Sequence, residues 1–307
     1  MKNRIKLLSS LIFLIGITAA VSFLLFRRTT NWSLKDSPSV ELVFPDQEQG
    51  SLRGDQIRHI ILISIDTCRA DHLSCYNYSS KTSPHIDALA AEGVLFNQAI
   101  SPVPLTFPAH CSMLTGTIPP YHKVRDNNNY VLNNSNLTIA EILKKNGFTT
   151  GAIVGAVILD SQFGLNQGFD TYDDHITDQK NESKFDINER NAAEISRLGN
   201  EWLEKNSDKK TFLFLHYYDP HTPYVQHKRF VLPFRKYIYD DEISYVDYYI
   251  DKVISKLKEL GMYDSTLLVI TGDHGESLCE HSEKTHGFYI YQTTQHVPLI
   301  IRAPGGF

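Results

Sequence analysis

Residues 58–71 read RHIILISIDTCRAD. Residues 59–65 form an unbroken apolar, largely β-branched run, the pattern of a strand buried on both faces of a parallel sheet. Asp66 stands at its tip. Five further apolar runs follow, at residues 94–100, 148–154, 211–217 (TFLFLHY), 266–270 and 297–301. Helical patterns lie between them. Ser83-Pro84 opens one that Gly93 closes, and Thr138 with Glu141 forms a capping box for another that ends at Gly147. Residues 187–206 are helical. Residues 240–260 carry Ile243, Val246, Ile250, Val253, Ile254, Leu257 and Leu260 on one stripe, closed by Gly261. Strands alternating with helices predict an α/β fold with a mostly parallel central sheet flanked by helices. Ligands of such sheets gather beyond the carboxyl ends of the strands. Asp66, residues 216–221 and Asp273-His274 all fall there.

A second stretch, residues 101–116, reads SPVPLTFPAHCSMLTG. Pro108 suits a first helical turn, which puts Thr106 at or just before a helix N-terminus, where free N–H groups and the dipole favour an oxyanion. Alone, Thr106 reads as an N-cap. Asp66, Asp273 and His274 change that reading. Carboxylates at the tips of apolar strands are costly unless paired, hydrogen-bonded or metal-bound. Two Asp, one His and a hydroxyl make a donor set for a divalent cation. Gly272 and Gly275 flank the Asp-His pair and let the backbone turn close to a ligand.

The chain has 307 residues, 42% of them hydrophobic, and a formal net charge of −5. That allows one large domain and shows no basic surface for nucleic acid. Residues 7–26 are almost wholly apolar and uncharged, between Lys2, Arg4, Lys6 and Arg27, Arg28. About 20 such residues span a bilayer. Residues 1–28 therefore read as an uncleaved signal anchor, a transmembrane helix, in preference to a cleaved signal. Residues 29–57 read as a linker and 58–307 as the catalytic domain, which stops abruptly after its last strand and so looks truncated. The domain is expected on the exported side, periplasmic or extracellular. The four cysteines form no C-x-x-C pair, which argues against a structural zinc site.

Four motifs, ISIDTCRADHLSCYNY (63–78), PLTFPAHCSMLTG (104–116), FLFLHYYDPHTPY (212–224) and VITGDHGESLCEHSEKTHG (269–287), come in an order and spacing that resembles the sulfatase family of the alkaline phosphatase superfamily. The closest likeness is to members with a Thr-x-Pro-Ser/Ala-His nucleophile motif. The resemblance implies an alkaline phosphatase-like sheet. It implies one divalent metal ion, calcium first, with magnesium, manganese and zinc as alternatives. Position by position, Asp66 matches the first metal-binding Asp, and Thr67 replaces a second Asp that many members carry. Asp273 and His274 match the metal-binding D-[NH] pair. Thr106 matches the nucleophile, where sulfatases make formylglycine, and would also bind the metal. His110 matches the arginine of that motif, His221 a histidine that contacts sulfate or leaving group, and His286 a sulfate-binding lysine. The family's G-K-W-H-L-G segment falls near residues 155–164, where its Lys and His are missing.

These departures bear on the reaction. A formylglycine diol expels sulfate by re-forming its aldehyde, whereas a threonyl sulfate needs water at sulfur or another acceptor. The motif set implies a metal-dependent sulfatase using Thr106, with His110 and His286 on the equatorial oxygens and His221 as acid to the leaving oxygen. The threonine favours a second reading, a phosphate or phosphonate ester hydrolase or a phosphoryl-type transferase. A cation at Asp219, His221 and His286 would accompany that chemistry. A third reading is a non-catalytic, membrane-anchored relative. The substrates implied are sulfated or phosphorylated small molecules, glycans or lipids.

Overall fold

The computed structural model describes residues 56–176, 189–231 and 237–306. The expected transmembrane helix at 1–28 and most of the linker to 57 lie outside these residues. Among the described residues no helix is long and apolar enough to cross a membrane.

In chain order the elements are strand β1 (His59–Ile65), helix α1 (Pro84–Glu92), β2 (Val94–Leu95), β3 (Ala99–Ile100), α2 (Thr106–Thr115), α3 (Ile139–Lys145), β4 (Thr149–Ile153), β5 (Thr171–Asp173), α4 (Ala192–Lys205), β6 (Thr211–Tyr217), α5 (Ile238–Glu259), β7 (Thr266–Gly272), β8 (His296–Val297) and β9 (Leu299–Arg302). Short one-turn helices connect several of them. The main sheet has seven strands in the order β2-β9-β7-β1-β6-β4-β5. The run from β7 to β5 is parallel, while β9 pairs antiparallel with β7 and β2 antiparallel with β9. The α/β fold with a mostly parallel sheet is therefore as expected.

β1 is central because it is apolar on both faces. It keeps one register with both neighbours, from His59 opposite Thr211 and Thr266 to Ile65 opposite Tyr217 and Gly272. Alternation then sorts its side chains. Ile61, Ile63 and Ile65 join a core with α1, α4 and α5. Leu62 joins a second core with Phe107, Cys111 and Leu114 of α2 and Phe212 and Phe214 of β6. Ser64 and Asp66 continue the Leu62 face, and His216 continues that of Phe214. Even-numbered polar residues of β1 and β6 thus point toward α2.

Several boundaries differ from the sequence reading. The run 94–100 is two short strands, because β2 pairs with β9 while β3 pairs with β8 in a separate ribbon. The run 297–301 is broken at Pro298, which has no N–H for a ladder. Its carbonyl instead accepts from Gly272 N and Thr271 Oγ1. β5, only three residues long, carries no periodic signal. The helix expected from 187 begins at Ala192, where the Asn191 side chain accepts from Glu194 N. The capping box at Thr138 and Glu141 is present as expected. All four cysteines are free.

Candidate active site

Thr106 is the first residue of α2, with Leu105 at the N-cap. Its Oγ1 lies 3.3 Å from His274 Nε2 and 3.5 Å from Asp66 Oδ2. Asp66, Asp273 and His274 each offer a ligand atom, all within 4.8 Å of one another. Residues 40 and 168 positions from Thr106 thus meet beside one hydroxyl. The cause is the common register of β1 and β7, which brings Asp66 and Asp273 off the sheet at one level.

The atoms around this point are arranged for a cation. Asp66 Oδ1 and Asp273 Oδ2 are buried and have no hydrogen-bond partner. The other oxygen of Asp273 accepts from Thr67 N at 3.1 Å and His274 N at 2.7 Å. His274 Nδ1 donates to the Gly275 carbonyl, which fixes the tautomer and turns the Nε2 lone pair toward the carboxylates, 3.7 Å from Asp66 Oδ1 and 3.5 Å from Asp273 Oδ2. Two orphaned carboxylate oxygens, an imidazole lone pair and a hydroxyl fit a divalent ion. Thr67 holds its N–H on Asp273 from the left-handed region, φ 54°, a strained place for a β-branched residue. Gly275 is obligatory, since a Cβ would come within 2.1 Å of the Thr293 carbonyl oxygen.

The electrostatics agree. Burial and the neighbouring Asp66 charge push the Asp273 carboxyl well above the carboxylate range. Burial opposes ionisation of Asp66 too, but His216 beside it, and then His221, outweigh it and hold Asp66 low. Without a cation, the pair resists carrying two charges. Burial, then His286, lowers His274 to about 3, so it is neutral and its lone pair is free.

His286 and His221 line the same side. The His286 ring centroid is 4.4 Å from that of His274 and 5.1 Å from that of His221. His286 Nδ1 donates to Glu276 Oε1 at 3.0 Å. Burial works against the His286 cation, but Glu276 overcomes it and raises the pKa. His221 Nδ1 is held by the Thr222 carbonyl and the Tyr218 hydroxyl, leaving Nε2 as the outward nitrogen.

His110 departs from expectation. It is fully buried, its Nδ1 donates to the Thr106 carbonyl one turn back, and its Nε2 accepts from Ser64 Oγ at 2.9 Å. Both nitrogens are occupied, so it does not reach equatorial oxygens of an ester; it fixes the turn that carries Thr106. Asp219 also departs. Its Oδ2 accepts from Ala192 N, and its cluster partners are His227 and Glu242 rather than His221 and His286. Arg69 pairs with Asp71 at 2.8 Å and also binds Glu280.

His216 carries more than strand packing. Gly155 N donates to its Nδ1, so Nε2 bears the proton; it lies 3.3 Å from Asp66 Oδ2, close but outside hydrogen-bond geometry. The alternation of β6 contains that signal, since 212, 214 and 216 share the face of Asp66. Ser64 is legible the same way. Asn127, whose Oδ1 accepts from Phe107 N in the first turn of α2, gives no sequence signal.

A family profile described as Sulfatase matches residues 58–307. The chain belongs to the sulfatase family. N-acetylgalactosamine-6-sulfatase of Rattus norvegicus is 25% identical over 264 residues, covering 72% of this chain and 50% of that protein. Iduronate 2-sulfatase of Homo sapiens is 25% identical over 335 residues, covering 80% of this chain and 60% of that protein. This sulfatase-family chain thus spans about half of one such relative and three fifths of the other. The fold also matches the phosphonate monoester hydrolase of Agrobacterium radiobacter, with a TM-score of 0.66 at 20% identity, covering 80% of this chain and 68% of that one.

Proposed function

We propose that this sulfatase-family chain is a divalent-cation-dependent sulfuric ester hydrolase of the Thr-x-Pro-Ser/Ala-His type. One observation carries the reading: Thr106 Oγ1 lies against His274 and Asp66, beside buried carboxylate oxygens without partners. Asp66, Asp273, His274 and Thr106 would hold the cation, with calcium first by family likeness. When bound, the ion would lower the pKa of the Thr106 hydroxyl and balance the two carboxylates.

The remaining roles belong to side chains. His110 and Ser64 anchor the first turn of α2 so that Thr106 Oγ1 faces the carboxylates. The hydroxyl proton leaves to solvent, and Oγ1 attacks sulfur while the bond to the ester's leaving oxygen breaks; water at sulfur then breaks the Thr106–sulfur bond, releases sulfate and returns a proton to Oγ1. His221 Nε2 gives the leaving oxygen its proton. His286, whose protonated form Glu276 favours, binds the oxygens on sulfur. His216 holds Asp66 in place.

The names of the curated relatives, N-acetylgalactosamine-6-sulfatase and iduronate 2-sulfatase, support a sulfated saccharide as substrate. Thr106 itself supports a second reading, a phosphate or phosphonate ester. A threonyl ester lacks the aldehyde route by which formylglycine sheds sulfate. Anchoring by residues 1–28, with the domain of residues 58–307 on the exported side, is part of the proposal and rests on the sequence of that segment.

A panel of aryl sulfate, phosphate and phosphonate esters, each with Ca²⁺, Mn²⁺ or Zn²⁺, tests these readings. Thr106→Ala should lower kcat by at least about 10³-fold with an unchanged circular dichroism spectrum. Wild-type turnover in that variant would remove the mechanism. Preference for the phosphorus esters would favour the second reading.

A further inference from the structure

A second group of ligand-type side chains lies apart from the four proposed cation-binding residues. Asp219 and His227 sit on the segment that follows β6, and Glu242 near the start of α5. Their ligand atoms lie within 4.8 Å of one another.

The group is built and incompletely satisfied. Glu242 is only 2% exposed. Its Oε1 accepts from Val225 N, yet its Oε2 has no hydrogen-bond partner. His227 Nε2 is also buried without a partner, and the nearest acid oxygen, Asp219 Oδ1, is 4.0 Å away, too far for a hydrogen bond. Asp219 Oδ2 is spoken for by Ala192 N, which leaves Oδ1 facing the histidine. The His227 ring lies flat on Tyr245, centroids 3.6 Å apart and 4° from parallel, so its direction is set. Buried polar atoms without partners are costly. A cation at their centre would satisfy all three. The side chains of His227 and Asp219 retain 19% and 12% exposure, an opening for an ion.

We propose that Asp219, His227 and Glu242 form a second divalent cation site, structural in role and zinc-type by its donors. One imidazole and two carboxylates suit Zn²⁺, with water completing the shell, whereas Ca²⁺ asks for six or more oxygens. The bound ion ties residues 219–231 to α5. It also steadies His221, two residues from Asp219; this last consequence rests on the function proposed above, but the binding does not.

The test uses the full 307-residue chain, stripped with chelator and titrated with Zn²⁺ alone by calorimetry, with metal content read by mass spectrometry. Wild type should hold one equivalent more than His227→Gln and one more than Glu242→Gln. Asp273→Asn, altered only at the first site, should keep the equivalent that those variants lose. Equal uptake by wild type and both variants, or none by Asp273→Asn, would overturn the proposal, and the former would leave the Thr106 chemistry untouched. A shared proton in place of a cation gives that same negative result. Should the variants misfold, trypsin provides a second reading on folded Asp273→Asn. Zn²⁺ should slow cleavage after Lys228 and Arg229 at least tenfold, and an unchanged rate would count against the site.

Discussion

At the scale of single residues, the difference between a ligand and its support is a matter of tautomer. His274 gives its Nδ1 proton to Gly275 and keeps a lone pair toward Asp66 and Asp273. His216 receives Gly155 N on Nδ1, so the nitrogen it sets beside Asp66, at 3.3 Å, carries the proton and not a lone pair. The two rings have opposite duties although both stand beside the same carboxylate. His216→Ala should therefore weaken Ca²⁺ affinity by about 10-fold to 100-fold, the usual cost of losing a partner that orients a metal-binding carboxylate. Calorimetry on the purified chain would show it, and unchanged affinity would mean that Asp66 holds its position alone. Sequence showed Asp66, Thr106, Asp273 and His274 because each sits at an element end where its polarity is out of place. It did not show the duty of His110 or His216, because a tautomer depends on backbone atoms distant in sequence.

At the scale of elements, α1 and α5 are joined by one buried carboxylate. Asp247 of α5 accepts Ile86 N at 2.8 Å and His85 N at 3.1 Å on its Oδ1, and His85 N at 3.2 Å on its Oδ2, in the first turn of α1. Those N–H groups favour the anion, but burial outweighs them and raises its pKa to about 7. The folded state therefore binds this proton more tightly than the unfolded chain. The contribution is fully present below the unfolded pKa of 3.8 and is lost as pH rises through about 7. Asp247→Asn keeps an oxygen for both N–H groups and carries no charge. Its stability relative to wild type should grow as pH rises from about 4 to 7, read as the difference in Tm. A gap that shrinks as pH rises would show that the N–H pair, not burial, governs Asp247. Element ends were legible where a residue has a local job, as with the capping box at Thr138. They were not where a partner strand decides, as with the split at Pro298.

At the scale of the whole described domain, the site lies where two cores meet at the carboxyl edge of the sheet. α2 belongs to one core and α5 to the other, while Asp66 and Asp273 extend from strands between them. A cation bound there would stabilise the fold by mass action, about 2.7 kcal/mol at 100 times its dissociation constant. Saturating Ca²⁺ should raise the Tm of wild type and leave Asp273→Asn unmoved. In chelator the variant should be at least as stable as wild type, because the carboxyl that burial and Asp66 disfavour is gone. Equal Ca²⁺ response in the two proteins would detach the cation from this site. The α/β class and the strand-end location of the site were readable from apolar runs and four motifs. The substrate was not, because no motif or apolar run encodes a leaving group.

The seven-residue match of β1 to both its neighbours works as a ruler. A strand reverses its faces with each residue, so one codon lost or gained within 59–65 would carry Asp66 to the opposite layer, away from Thr106. Length changes are then tolerable only between the strands, for instance in the exposed stretch around Asp208 and Lys209. In a library of single-codon deletions, function should vanish across β1, β6 and β7 and persist in that stretch. The chemistry is thus protected less by the identity of the seven residues of β1 than by their number.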